Sequence, residues 1–164
     1  MKIRNAYTTH THGFTAVEVL VGVALASVIL IFAANTVALF INAGRVVSEK
    51  TKALYLAEEG LELVRFVRDE SWSTLSALST SGTHYLGVTA SSITTSTTPE
   101  YIDGFRRSFT VQNVYRNTTT NDIVASTTGG SAADTDSKYI TVSVAWGTPT
   151  TTISMTSILT DLTP

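Results

Sequence analysis

Few residues in this 164-residue chain have the type and spacing to do chemistry. There is no cysteine, which excludes disulfides and thiolate chemistry, and the only histidines are His10, His12 and His84. So few histidines argue against a histidine-based triad or a multi-histidine metal site. Asp134 and Asp136 form a D-x-D pair ahead of an expected strand, the kind of oxygen-donor loop that takes calcium. With no third acidic residue and no glutamate at loop spacing, a polar turn accounts for the pair better. Arg106-Arg107 has the charge to meet a phosphate backbone. Successive side chains of a strand point to opposite faces, however, so the two do not make one patch. No carboxylate pair is spaced for acid–base work, and the chain reads as non-catalytic and without a cofactor.

One ionisable residue stands out by its surroundings. In "THGFTAVEVLV", Glu18 sits inside an apolar run, and Val19–Ile41 carries no charge at all. As a helix rising 1.5 Å per residue, that run reaches about 35 Å and spans a hydrocarbon core. A carboxylate within such a segment costs roughly 2.5–3.5 kcal/mol on insertion scales, and such residues are usually functional. Ala24-Leu25-Ala26 matches a signal-peptidase pattern but lies in the middle of the run, so the run reads as an anchor. Lys2 and Arg4 favour a cytoplasmic N-terminus, although Arg45, Lys50 and Lys52 beyond the run reduce the asymmetry. Overall charge is sparse, at 15 % of residues and a net −2, which leaves no electrostatic footprint for nucleic acid.

The elements that must position these residues follow from periodicity. Beyond the apolar run, Ala53, Leu54, Ala57, Leu61, Val64 and Phe66-Val67 recur at three- and four-residue spacing, and Leu56 and Leu63 widen the stripe. Glu62 with Arg65, and Arg65 with Asp69, are spaced as surface pairs. No proline precedes Pro99, and Gly44 and Gly60 are soft points only. One continuous helix is expected from Phe14 to Glu70, apolar all round at first and amphipathic after. The serine- and threonine-rich stretch after Trp72 reads as a long loop or irregular strands. Alternation then predicts strands with Phe105, Phe109, Val111 and Tyr115 on one face, and with Ile140, Val142, Val144 and Trp146 on another. A third strand places Ile153, Met155 and Leu159 together, after a hairpin at Gly147-Thr148-Pro149. The expected class is α+β, a small antiparallel sheet covering the amphipathic half of the helix.

Gly13-Phe14-Thr15 followed by Glu18, after a short basic leader and before the apolar helix, resembles the class III signal of type IV pilins and pseudopilins. The segment "ALYLAEEGLELVR" is similar to the helix of PilV-like minor pilins and of the minor pseudopilins of type II secretion. Ala16 in place of a bulky aliphatic residue, Asn35 in place of a kinking proline, and the missing cysteine pair depart from the major pilins. The resemblance implies a pilin-like fold with a leader at 1–13, a membrane and assembly half-helix at 14–41, an amphipathic half at 42–70 and a globular domain at 71–164. It implies cleavage after Gly13 by prepilin peptidase, N-methylation of Phe14, and pairing of Glu18 with the N-terminal amine of a neighbouring subunit. The implied partners are that peptidase, other pilin or pseudopilin subunits through the first helix, the inner-membrane assembly platform and the lipid bilayer. Calcium at Asp134 and Asp136, as in some pseudopilins, and DNA, as in some minor pilins, would be additional. The implied location is the bacterial inner membrane with the C-terminal domain extracytoplasmic, then a pilus or pseudopilus. A rival reading is a membrane-anchored adhesin or binding module that does not polymerise. Adhesion, motility, DNA uptake and secretion all use such subunits, and the sequence leaves that choice open.

Overall fold

The computed structural model describes residues 13–89 and 92–162. The expected leader, with Lys2, Arg4, His10 and His12, lies outside the described residues except for Gly13. Helix α1 runs Ala16–Glu70, 55 residues without a break. The chain divides into two compact units, residues 1–46 and 47–164. Within the first, the large apolar side chains of α1 are exposed, Leu20, Phe32 and Phe40 each by more than two thirds. One helix here is long and apolar enough to cross a membrane, by length and composition.

In the second unit, α1 buries Ala53, Leu56, Ala57, Gly60, Leu61, Val64 and Val67. The expected stripe was misplaced at two positions. Leu54 and Phe66 are exposed, while Leu56, expected at the stripe's margin, is buried. At 100° per residue, positions 54 and 66 fall off the face that 53, 57, 60, 64 and 67 share. The pairing Glu62–Arg65 forms, but Arg65–Asp69 does not: Asp69 meets Arg68 at 2.8 Å. At least one partner of each pair, Glu62 and Asp69, is more than half exposed, so both contribute little to stability.

The serine- and threonine-rich stretch is more ordered than expected. Ser71 caps a short helix α2, Trp72–Ser76, by accepting the Thr74 N–H. A two-stranded antiparallel ribbon follows, β1 Tyr85–Val88 with β2 Ile93–Ser96. Leu75 and Leu86 drop from these elements into the core. Single leucines spaced among hydroxyl residues leave no periodic trace in the sequence, which is why the stretch reads as loop.

The main antiparallel sheet contains β3 Glu100–Ile102, β4 Phe105–Asn117, β6 Ser131–Trp146 and β7 Thr151–Thr160 in that spatial order, and β5 Ile123–Val124 also pairs with β4. The Asp103-Gly104 turn joins β3 to β4 with φ of 48° and 86°, the left-handed pair a two-residue hairpin requires. Ile140, Val142, Val144, Trp146 and Leu159 line the core as the alternation predicts, with Ile153 and Met155 packed at its margin. On β4 the core face reads Phe105, Arg107, Phe109, Val111 and then Val114, not Tyr115. The pairing register shifts between Asn113 and Val114, opposite Thr135–Ser137 of β6, which have no partner on β4. An irregularity of that kind moves every later side chain to the other face.

Candidate functional site: the start of the helix

Helix α1 begins where Thr15 caps it. Thr15 Oγ1 accepts the Glu18 N–H at 3.3 Å, and the Thr15 carbonyl accepts the Val19 N–H at 3.2 Å. Thr15-Ala16-Val17-Glu18 thus has the spacing of a capping box, in which the N-cap hydroxyl and a glutamate three residues on serve the free N–H groups of the first turn. That signal is local and stands in the sequence, where the unusual charge of Glu18 masks it. The first turn of a helix also carries partial positive charge, so a carboxylate there is favoured. The Glu18 backbone is thus held by the Thr15 hydroxyl, and its carboxylate stands in the first turn, where the helix dipole favours an anion.

Ahead of the cap the chain is open. Gly13 and Phe14 lie outside the helix, Phe14 is 81 % exposed, and none of the described residues comes within 4 Å of a β-carbon placed at Gly13. The bond between them is sterically accessible, as the bonds within the following helix are not. Downstream, the hydroxyls of the apolar segment turn back on their own helix. Ser27 Oγ donates to the Val23 carbonyl and Thr36 Oγ1 to the Phe32 carbonyl, both at 2.8 Å. Polar side chains satisfied this way are compatible with a hydrocarbon surrounding. Between Phe14 and Gly44, Glu18 is the one charged side chain.

The remaining candidates are occupied by the fold. Asp134 lies within β6 at the register shift and not in a turn. Its Oδ2 meets Arg116 Nε at 2.6 Å and its Oδ1 accepts the Asp136 N–H at 2.9 Å. The Arg116 hydrogen bond holds the Asp134 carboxyl below the usual aspartate range, against the opposing effect of burial. Asp136 accepts from the Thr135 hydroxyl. Among the described residues no three metal-ligating side chains converge. Arg106 and Arg107 do point apart, and Arg107 is buried. Arg107 makes a bidentate pair with Glu100 at 2.9 and 2.8 Å, reaches Glu59 at 3.3 Å, and donates to the Leu56 carbonyl. Burial opposes its charge, but the hydrogen bonds and charges of Glu100 and Glu59 prevail and raise its pKa. A buried arginine on the core face has no signature in an alternating strand, and sequence reasoning missed this clamp. His84 bridges β4 at Phe109 and places Nε2 2.9 Å from the Ser79 carbonyl, a structural role.

Comparison with protein-family models, with curated proteins and with solved structures gives no match.

Proposed function

We propose that the chain is a non-catalytic, pilin-like structural subunit of a minor pilin or pseudopilin kind. On this reading it is cleaved after Gly13, methylated at Phe14, held in the bacterial inner membrane by the first half of α1, and assembled through that half-helix. One observation carries the reading. An open Gly13-Phe14 bond precedes a capped helix whose first half is apolar on every side and uncovered, while its second half is the core of a folded domain. A helix apolar all round needs a covering of lipid or of other helices. Cleavage after Gly13 leaves such an anchor whole, whereas cleavage within the run would destroy it.

Cleavage also changes the charge balance at the helix start. It frees an α-amino group on Phe14 that is cationic at neutral pH. In an apolar surrounding an unpaired carboxylate is disfavoured, and a neighbouring subunit's new amine supplies the counter-charge. Glu18 thereby favours packing against a second subunit in one axial register. The chemistry of assembly rests on that pairing and on apolar helix packing, with no catalytic group required.

The test is intact-mass measurement on the protein extracted from native membranes. The expected species begins at Phe14 and is heavier by one methyl group. An uncleaved chain, or a mature N-terminus after Ala26, overturns the proposal.

A further inference from the structure

The edge of β4 that faces away from β6 is paired unevenly. It is covered by β3 as far as Arg107, bridged by His84 at Phe109, and covered again by β5 from Tyr115. Among the described residues the pairing lapses between Phe109 and Tyr115, and a cleft of about 630 Å³ opens there. Thr80, Gln112, Asn113, Tyr115, Ser126 and Tyr139 line it together with β5, and no charged side chain does. The Gln112 amide and the hydroxyls of Tyr115 and Tyr139 make no hydrogen bond with the described residues, so their capacity is free for a ligand. Asn113 Oδ1 is already held by Lys138 Nζ at 2.7 Å, which leaves its amide N–H groups as donors.

The cleft continues onto a surface of the same chemistry. Gln112 and Tyr139 are cross-strand partners on the sheet face opposite the core. The next rows on that face are Thr110–Thr141–Thr156 and Ser108–Ser143–Ser154. Thr141 and Thr156 bring their hydroxyls to 2.9 Å, and Ser143 and Ser154 to 2.8 Å. These two rows and the Gln112–Tyr139 pair are uncharged.

We propose that this cleft binds a neutral oligosaccharide. A sugar ring presents hydroxyls that both donate and accept, together with an apolar C–H face. Two phenol rings beside free amides and hydroxyls match both, without charge. The lining itself holds no cation to answer an anion; beside it Arg116 is paired with Asp134, and Lys138 gives an N–H to Asn113, so the charged glycans in the test below measure what Lys138 attracts. An extended peptide adding to the β4 edge would run into the His84 bridge at one end and β5 at the other. A compact ligand suits a gap closed at both ends, and the hydroxyl rows give a longer glycan a course beyond it. This inference goes beyond assembly, and it holds whether or not the chain is cleaved after Gly13.

The experiment presents fluorescent full-length chain in lipid nanodiscs, free of sugar-headed detergent, to an array. The array carries neutral glucan, galactan and N-acetylglucosamine oligomers, sialylated and sulfated glycans, and short extended peptides. Saturable binding to a neutral oligomer is expected. Tyr139→Ala and Gln112→Ala should each weaken it by about tenfold with the melting temperature unchanged. Thr152→Ala, on β7 outside the cleft and the hydroxyl rows, should leave it intact. No binding to any neutral oligomer overturns the proposal. Preference for the anionic glycans or the peptides overturns it equally, as does binding that both cleft variants retain.

Discussion

Gly60 of α1 lies so close to Val142 of β6 that a β-carbon at position 60 would fall 2.8 Å from Val142 Cγ1, and 3.0 Å from Arg107 Cδ. Neither neighbour yields readily. Val142 is fully buried and β-branched, and Arg107 is pinned by Glu100 and Glu59. Gly60 is therefore the point where helix and sheet approach most closely among the glycines described, not the soft point its type suggests. Two effects compete in Gly60→Ala. Helix propensity gains about 1 kcal/mol, while overpacking costs roughly 1–3 kcal/mol. With a contact this short the steric term prevails, and a melting temperature lowered by several degrees is expected. An unchanged or raised melting temperature would show that the helix can move off the sheet at no cost.

The compact unit from Val47 onward should fold without the apolar half-helix, because its buried apolar side chains all come from that unit. A fragment spanning 47–162 is expected to be a monomer by sedimentation and to melt cooperatively. A molten or aggregated fragment would mean that the apolar half of α1 stabilises the domain. This fragment is the material for the stability measurements below.

Arg107 and Glu100 form the fragment's most buried ion pair, with side-chain exposures of 2 % and 15 %. Removing one partner of a buried pair strands the other charge, which costs about 3 kcal/mol. Glu100→Ala should cost about that much in urea unfolding. Glu59→Ala should cost under about 1 kcal/mol, because Glu59 is more than half exposed and solvent screens it. Arg107→Met with Glu100→Leu should recover most of the loss, since two apolar groups leave no stranded charge. Equal costs for Glu100→Ala and Glu59→Ala would mean that burial does not govern this cluster.

Much of this domain was legible in the sequence, and the failures share a cause. The apolar run, the long uninterrupted helix and the alternation at Ile140–Trp146 depend only on residue type at fixed spacing, which a single sequence displays. Arg107, Val114 and Gly60 depend on what lies across the contact. A guanidinium enters the core because Glu100 and Glu59 wait there, and Val114 replaces Tyr115 because β6 carries extra residues twenty positions away. The cleft was invisible for the same reason: Thr80, Gln112 and Ser126 lie on separate segments that only pairing brings together. At the helix start the reverse held. The Thr15–Glu18 cap is local and legible from its spacing alone, but the same glutamate is also a lone charge in an apolar run, and that second signal hides the first.

The Arg116–Asp134 pair makes stability depend on pH with a definite sign. The folded-state pKa of Asp134 is lowered, chiefly by the Arg116 hydrogen bond. Its contribution is thus fully present above the unfolded aspartate value of about 3.9 and is lost as pH falls through the lower folded value. Asp134→Asn should destabilise the fragment by about 1 kcal/mol or less at pH 7, since Arg116 is 37 % exposed. The difference from wild type should stay constant down to pH 5 and close below pH 4, where Asp134 itself becomes neutral. A difference that persists at pH 2.5 would assign the stabilisation to shape and not to charge.

Glu18 has two possible duties, and one substitution separates them. As the third residue after the Thr15 cap, it has the capping-box position for serving the first turn, a duty glutamine performs nearly as well. As an anion it would answer the Phe14 amine of a neighbouring subunit, which glutamine does not. Glu18→Ala removes both duties and Glu18→Gln only the second. Membrane insertion should survive in both variants, since losing a carboxylate lowers the cost of burying the helix. The proposed cleavage after Gly13 should also persist, because that bond lies outside helix α1. If the proposed assembly depends on charge, both variants should be nearly absent from sheared surface fibres or cross-linked pseudopilus complexes, while membrane levels match wild type. The measurement is the ratio of mature protein in the two fractions. Glutamine at wild-type incorporation, with alanine reduced, would reduce Glu18 to a helix cap and remove the charge pair from the assembly mechanism.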